Sequence, residues 1–157
     1  MFSSRRKFIK TLLSVTAYGL TASSGLFYSA CAQAQWLAES FKAVSYDELL
    51  PQLFPDVEFI DSKKIKFRRL PRTAENGAIV PIKIISSIKN VDKISILVEK
   101  NPHPLIAEFF LSPVLDPIIS ARMKMAESSN VIAIVEAEGK FYRHHKYVKV
   151  IVGGCGG

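Results

Sequence analysis

An alternation of apolar and polar residues runs through the chain beyond Asp56 and constrains its fold more than any other feature. Successive side chains of an extended strand point to opposite faces, so a period of two is typical of half-buried β-strands. Seven strands are predicted on this basis. They are Ile65–Phe67, Val80–Ile84, Ile94–Val98, Leu105–Leu111, Ile118–Met125, Val131–Glu136 and Phe141–Val152.

Turn-forming residues separate these strands, as at Asn76-Gly77, Ser112-Pro113 and Glu138-Gly139. Seven short strands with such turns predict an all-β fold, an immunoglobulin-like antiparallel β-sandwich. Because proline has no backbone N–H to donate, Pro81 is expected at a sheet edge or a bulge.

The segment from Trp36 to Phe54 has helical spacing instead and predicts an N-terminal helical segment of one or two pieces. Ser45 has the character of an N-cap, with acidic residues in the turn that follows it. Pro51 and Pro55 are expected to limit the second piece. This segment should pack against the sheet and take no part in chemistry.

The first residues have the pattern of a twin-arginine export signal, Ser4-Arg5-Arg6-Lys7-Phe8-Ile9-Lys10. An uncharged apolar run follows, from Thr11 to Ala30. It ends at two small-x-small sites, Ala30-Cys31-Ala32 and Ala32-Gln33-Ala34, of the kind that signal peptidase cleaves. We therefore expect residues 1–34 to be a cleaved signal peptide and the protein to be exported, already folded, to the periplasm. A permanent membrane anchor and a lipoprotein acylated at Cys31 are the weaker alternatives.

Removal of the signal changes the charge and the cysteine content. The whole chain has 21 basic and 14 acidic residues and a net charge of +7, and residues 35–157 keep 17 basic and all 14 acidic ones. The net charge of +3 that remains gives no reason to expect nucleic acid as a partner, nor a membrane once the signal is gone. Cys155 would be the only cysteine left, so it cannot form an internal disulfide and must be a free thiol or join another molecule.

Four glycines surround that cysteine, in the sequence Gly153-Gly154-Cys155-Gly156-Gly157. Glycine loses the most entropy on ordering and has no side chain to bury, so residues 153–157 are predicted to be a flexible arm on the domain of residues 35–152. From Val152 the thiol could reach roughly 10 Å, at about 3.3–3.6 Å per extended residue.

Residues suited to catalysis are few. His103 stands between two prolines and is expected in a surface loop, while His144 and His145 are neighbours on a predicted strand and should point to opposite faces. The sequence has no phosphate-binding loop and no set of residues spaced for a metal. We therefore predict that the protein is not an enzyme and that it has no metal site and no cofactor.

The arm motif and the strand before it resemble the SoxY family, the sulfur-carrying subunits of bacterial thiosulfate oxidation. The resemblance covers essentially all of the chain after the signal. Three further stretches support it, Ala74–Pro81, Val98–Pro102 and Arg122–Met125.

The resemblance implies a non-catalytic carrier whose attachment site is Cys155 and whose arm is formed by Gly153, Gly154, Gly156 and Gly157. It implies a heterodimer with SoxZ and transient contacts with three enzymes. The haem protein SoxXA couples thiosulfate to the thiol, the hydrolase SoxB releases sulfate, and the sulfane dehydrogenase SoxCD, where present, oxidises the remaining sulfur.

Two other classes of function stay open on the residues alone. In one, the protein is an exported sandwich joined to a partner by an intermolecular disulfide through Cys155. In the other, the carboxylate after Gly156-Gly157 is activated to a thiocarboxylate. The second needs ATP, which the periplasm lacks.

Overall fold

The computed structural model describes residues 45–153, which contain one helix and nine strands. The helix is α1 (Tyr46–Leu53). The strands are β1 (Phe59–Asp61), β2 (Ile65–Arg68), β3 (Thr73–Asn76), β4 (Val80–Ser86), β5 (Val91–Val98), β6 (Leu105–Phe110), β7 (Ile118–Met123), β8 (Ser129–Ala137) and β9 (Lys140–Val152). The predicted signal peptide, the segment Trp36–Val44 and residues 154–157 lie outside the described residues.

The strands form two sheets. The larger sheet has the order β1-β9-β8-β5-β6, with β3 pairing β9 beside this path, and the smaller sheet has the order β2-β4-β7. Their facing sides enclose one apolar core, which includes Ile65 and Ile84 of the small sheet and Ile96 and Val131 of the large sheet. The predicted all-β sandwich with a helical N-terminal segment is confirmed.

All seven predicted strands are present, and every pairing among them is antiparallel. Two strands, β1 and β3, were not predicted, and both pair with β9 in parallel. They have three and four residues and are mostly exposed, so they show little of the alternation that marks the other strands. The expected antiparallel sandwich is thus extended by two short parallel strands along β9.

Pro81 lies in β4, the middle strand of the small sheet, yet it meets the expectation of an edge position. On one side it pairs with Arg122 of β7, but the pairing with β2 on the other side begins only at Lys83. Pro81 therefore has no strand neighbour on the side of β2, and on that side its missing N–H breaks no hydrogen bond between strands.

Helix α1 begins as the sequence indicates and ends at Leu53, two residues before Pro55. The Ser45 hydroxyl accepts a hydrogen bond from the Glu48 N–H, and the Glu48 carboxylate accepts one from the Ser45 N–H, each at 3.3 Å. Pro51 was expected to limit this helix but lies inside it, which corrects the prediction. The helix continues past the proline because Leu49, Leu53 and Phe54 are buried against the sheet, which offsets the hydrogen bond that Pro51 cannot make.

The large sheet is covered on both faces. Side chains of β8 alternate between the two cores: Val131, Ala133 and Val135 face the small sheet, whereas Ile132 and Ile134 pack with Leu49 and Leu53 of α1. Burial on both sides explains the nearly continuous apolar run in this strand. No helix among residues 45–153 is long and apolar enough to cross a membrane.

The cover formed by α1 should contribute strongly to stability. Leu49 is fully buried, so Leu49→Ala should lower the free energy of unfolding by about 3 kcal/mol, from lost transfer energy and the cavity left behind. Urea denaturation measures this change. Gln52→Ala, at an exposed position of the same helix, is the control and should change it by less than about 0.5 kcal/mol. Equal effects of the two substitutions would show that α1 does not pack as described.

Candidate functional site

The last strand, β9, extends beyond its main partner. Strand β8 pairs with β9 only from Lys140 to Val148, and the remaining residues pair in parallel with β3, from Thr73↔Lys149 to Asn76↔Val152. The Lys149 N–H donates to the Arg72 carbonyl at 2.9 Å, and the Gly77 N–H donates to the Val152 carbonyl at 2.7 Å. The strand is therefore hydrogen-bonded up to Val152, the residue before the arm.

A serine takes the place of a strand on the other side of this extension. The Ser128 hydroxyl accepts a hydrogen bond from the Val150 N–H at 2.8 Å and donates one to the Val150 carbonyl at 3.3 Å. One side chain thus satisfies both backbone groups of Val150 where β8 has not yet begun. The end of β9 is held from both sides.

Gly153 lies against the backbone of the preceding loop. A Cβ at this position would collide with the carbonyl oxygen of Ala126. Because this neighbour is backbone, any residue with a side chain would have to displace either the loop or the start of the arm. The first of the four glycines therefore allows a close approach, a role that the sequence did not indicate.

The loop that contacts Gly153 is itself held by Asn101. This side chain is 8% exposed, its Nδ2 donates to the Lys124 carbonyl at 2.8 Å, and its Oδ1 accepts from the Ala126 N–H at 2.9 Å. In the same loop the Met125 N–H donates to the Gly77 carbonyl at 2.8 Å. Gly77 consequently links the loop to Val152, and Asn101 fixes the position of Ala126.

We call these five residues, Gly77, Asn101, Ala126, Ser128 and Val152, the arm base. They come from four separate parts of the chain and meet where β9 ends. Three of those parts overlap or adjoin the stretches Ala74–Pro81, Val98–Pro102 and Arg122–Met125, which the sequence singled out without indicating what they do. Their common role is to hold Val152 and Gly153, the last residues that the structure describes.

The other predicted residues of the arm lie outside the described residues. These are Cys155, Gly154, Gly156 and Gly157, so their roles stay predictions. Among residues 45–153, no group of three or more histidine, cysteine, aspartate or glutamate side chains is arranged to hold a metal ion.

The histidines do not come together as a site. His103 is exposed in the loop between β5 and β6, as expected. The ring of His144 stacks on Phe67 with centroids 5.7 Å apart, while His145 lies beside it at 6.4 Å and is exposed. Partial burial, and then the neighbouring charge of His145, lower the pKa of His144 below its ordinary value of 6.5.

The family follows from comparison with known proteins. The model of the family described as sulfur oxidation protein SoxY matches residues 51–155. The chain belongs to the SoxY family. The matched range includes the arm base and ends at Cys155.

A solved structure agrees with this result. The sulfur carrier protein SoxY from Chlorobium limicola f thiosulfatophilum is 36% identical, with a TM-score of 0.60 over 66% of this chain and 94% of that one. A structure of the bacterial superantigen toxic shock syndrome toxin-1 also matches, at 12% identity and a TM-score of 0.39 over 55% of this chain and 97% of that one. No curated protein matches the chain.

Loss of Asn101 should loosen the arm base. Asn101→Ala removes two part-buried hydrogen bonds, to the Lys124 carbonyl and from the Ala126 N–H, and should lower the free energy of unfolding by about 2–3 kcal/mol. Asn130→Ala is the matched control, because it removes a single side-chain bond to Glu99 and should cost about 1 kcal/mol. A smaller loss for Asn101→Ala than for the control would contradict the bridging role.

Stability should also depend on the protonation of His144. Its pKa is lowered on folding, so below pH 6.5 the unfolded chain binds more protons than the folded one, and stability falls as the pH decreases through this value. We expect the urea midpoint to decrease between pH 7.5 and 5.5, and to decrease less in His144→Gln. The same decrease in both proteins would show that His144 is not responsible.

Proposed function

We propose that this protein is a non-catalytic carrier that holds thiosulfate-derived sulfur covalently on Cys155 and presents it to the enzymes of thiosulfate oxidation. The observation that carries the proposal is the SoxY match that runs through to Cys155, together with the relative whose structure is described as a sulfur carrier protein. The arm base supports it, because a tether is useful only if its point of attachment is fixed.

In this function the Cys155 thiol is converted to its reactive thiolate by the enzymes that bind it. The four residues around Cys155 are glycines and bring no cationic side chain that would stabilise its thiolate. We therefore place activation in the enzyme pocket that receives the arm. Glycines suit this role, because a thiol without bulky neighbours can enter a narrow pocket together with the group it carries.

SoxXA joins the Cys155 sulfur to the sulfane sulfur of thiosulfate, so that one S–S bond forms, the thiol proton leaves and two electrons pass to the haem protein. SoxB then hydrolyses the terminal sulfonate with water, which releases sulfate and leaves a persulfide on Cys155. Where SoxCD is present, it oxidises the remaining sulfane sulfur.

We further propose that the carrier works in the periplasm, after cleavage of residues 1–34, as a heterodimer with SoxZ. Exposed apolar side chains in the connection from β6 to β7 support a permanent partner. Phe110, Val114, Leu115 and Ile118 are 70%, 90%, 57% and 44% exposed, and obligate interfaces are rich in such side chains. No nucleic acid, membrane, metal or cofactor is part of this proposal.

The competing function is an exported β-sandwich joined to its partner by a disulfide through Cys155. It accounts for a single cysteine in an oxidising compartment. It does not account for four glycines, since a structural disulfide tolerates other neighbours. Thiocarboxylate formation at the glycine terminus is less favoured, because it requires ATP outside the cytoplasm.

The proposal is tested by the intact mass of the protein from the periplasm of thiosulfate-fed cells, with and without reductant. We expect additions of the size of thiosulfate or sulfane sulfur. They should disappear on reduction and be absent from Cys155→Ser. The matched control Ser128→Cys in the Cys155→Ser background places a thiol at the arm base and should carry no addition.

A bare mass with only disulfide-linked species would favour the competing function. Additions that persist in Cys155→Ser would show that the sulfur is bound elsewhere.

A further inference from the structure

Positive charge is concentrated in two stretches of the domain. Of the 16 lysine and arginine residues between positions 45 and 153, nine lie in two short runs, 63–72 and 143–149, which contain no acidic residue. The remaining seven are outnumbered by 13 carboxylates elsewhere in the described chain. We call residues 63–72 and 143–149 the cationic strip. Its nine cations are Lys63, Lys64, Lys66, Arg68, Arg69, Arg72, Arg143, Lys146 and Lys149.

The two runs lie side by side in the fold. Phe67 stacks on His144, the Lys146 ammonium donates to the Leu70 carbonyl at 2.6 Å, and the Lys149 N–H donates to the Arg72 carbonyl. Between them is an open cleft of about 370 Å³. It is lined mainly by Lys63, Lys66, Phe67, Arg68, His144 and Lys146. The two runs are therefore neighbours, and four of the strip's cations, Lys63, Lys66, Arg68 and Lys146, surround one cleft. Arg143 lies on the other face of β9, near Tyr46 and Glu99.

This charge is not neutralised within the described domain. Of the nine cations only Arg143 has an ion pair there, to Asp61 at 2.9 Å. Lys63, Lys66 and Arg68 are exposed, and no carboxylate lines the cleft. Keeping so many like charges together raises the energy of the folded state, and a partner of opposite charge would relieve this repulsion.

Strand β9 also has an open side at the strip. It pairs with β1 only as far as Arg143 and with β3 only from Lys149, so the residues between them have no strand partner opposite β8 among residues 45–153. The cleft occupies this gap, and the surface is consequently concave.

The strip runs toward the arm base. Lys149 is four residues before Gly153, so this end of the strip lies roughly 13 Å along the strand from the start of the arm, at about 3.3 Å per residue. The cleft lies near His144, roughly 30 Å along β9 from Gly153. At about 3.3–3.6 Å per residue, the few residues between Val152 and Cys155 are too short to bring the thiol back to it. The strip therefore does not bind the arm's own cargo, but a protein seated on it would lie beside the exit of the arm.

We propose that the cationic strip is the surface on which an enzyme that receives the arm docks, through an acidic face of that enzyme. This inference rests on the proposed carrier function. Charged, polar surfaces suit brief encounters, because complementary charge mainly accelerates association, whereas permanent interfaces are more apolar. The exposed apolar side chains of the connection from β6 to β7 are separate from the strip in sequence. We assign them to the interface with a permanent partner.

The test measures how fast Cys155 is loaded. The protein, purified as its complex with SoxZ, and thiosulfate are added to desalted periplasmic extract from a strain that lacks this gene. The mass addition on Cys155 is then followed with time at low and high salt. The variant Lys66→Glu/Arg68→Glu reverses two exposed charges of the cleft. Lys89→Glu/Lys140→Glu makes the same change in net charge at exposed positions outside the strip and is the matched control.

We expect loading of the Lys66→Glu/Arg68→Glu variant to be slower by about tenfold or more at low salt, and the difference to shrink at high salt as screening removes the attraction. The control should load at close to the wild-type rate. Poly-L-glutamate should inhibit loading of the wild type but not of the reversed variant. If the reversal impairs folding, Lys66→Gln/Arg68→Gln tests the same point with a smaller expected loss.

Equal loading rates for wild type, reversed variant and control at every salt concentration would overturn the docking surface while leaving the carrier function intact. Tight binding of inorganic sulfate that the reversal abolishes, with loading unchanged, would overturn it too and assign a small-oxyanion site. Absence of any addition on wild-type Cys155 would instead contradict the carrier function.

Discussion

The pairing of β9 on both sides is the interaction on which the rest of this structure depends. Nine of its thirteen residues, from Lys140 to Val148, pair with β8 along one side, and parts of the other side pair with β1 and β3. Backbone groups inside a sheet are expensive to leave unpaired, so a strand held from two sides cannot fray as a terminal strand at an edge can. Where β8 stops, Ser128 continues the hydrogen bonding, and where β3 stops, Gly77 does so. Strand β9 is therefore a fixed support up to Val152.

Local pattern was sufficient to predict the elements of the sandwich and insufficient to predict the parts that hold the arm. The alternation in β4, β5 and β9 records burial on one face or two, which sequence expresses directly. Strand β3 does not show this alternation, because it forms by pairing with residues of β9 that are more than seventy positions away. The same holds for Asn101, whose side-chain amide is hydrogen-bonded to a loop about 25 residues further along the chain. The residues next to Asn101 in the sequence do not indicate this contact. The resemblance to a family located these stretches without giving the reason for them.

The charge of the chain shows a related limit. The net charge of +3 that residues 35–157 carry is modest and gives no reason to expect nucleic acid, but a sum says nothing about distribution. The runs 63–72 and 143–149 are separated by seventy residues, and only the packing of β2 beside β9 brings them together around one cleft. Each run alone is an ordinary solvated stretch. Together they surround one cleft with lysine and arginine side chains and no carboxylate.

A carrier that several enzymes must use has conflicting requirements, and the fold separates them in space. The arm has to enter each pocket and leave again, so its own contacts must be weak, and glycine neighbours provide little surface for binding. Recognition then has to come from elsewhere on the domain, and charge serves this need because it speeds encounter without prolonging the complex. Gly153 stands between the two functions. Its close approach to Ala126 fixes the position of Gly153 on the domain, so that an enzyme seated on the cationic strip, as we propose, would meet the arm at a fixed point of attachment.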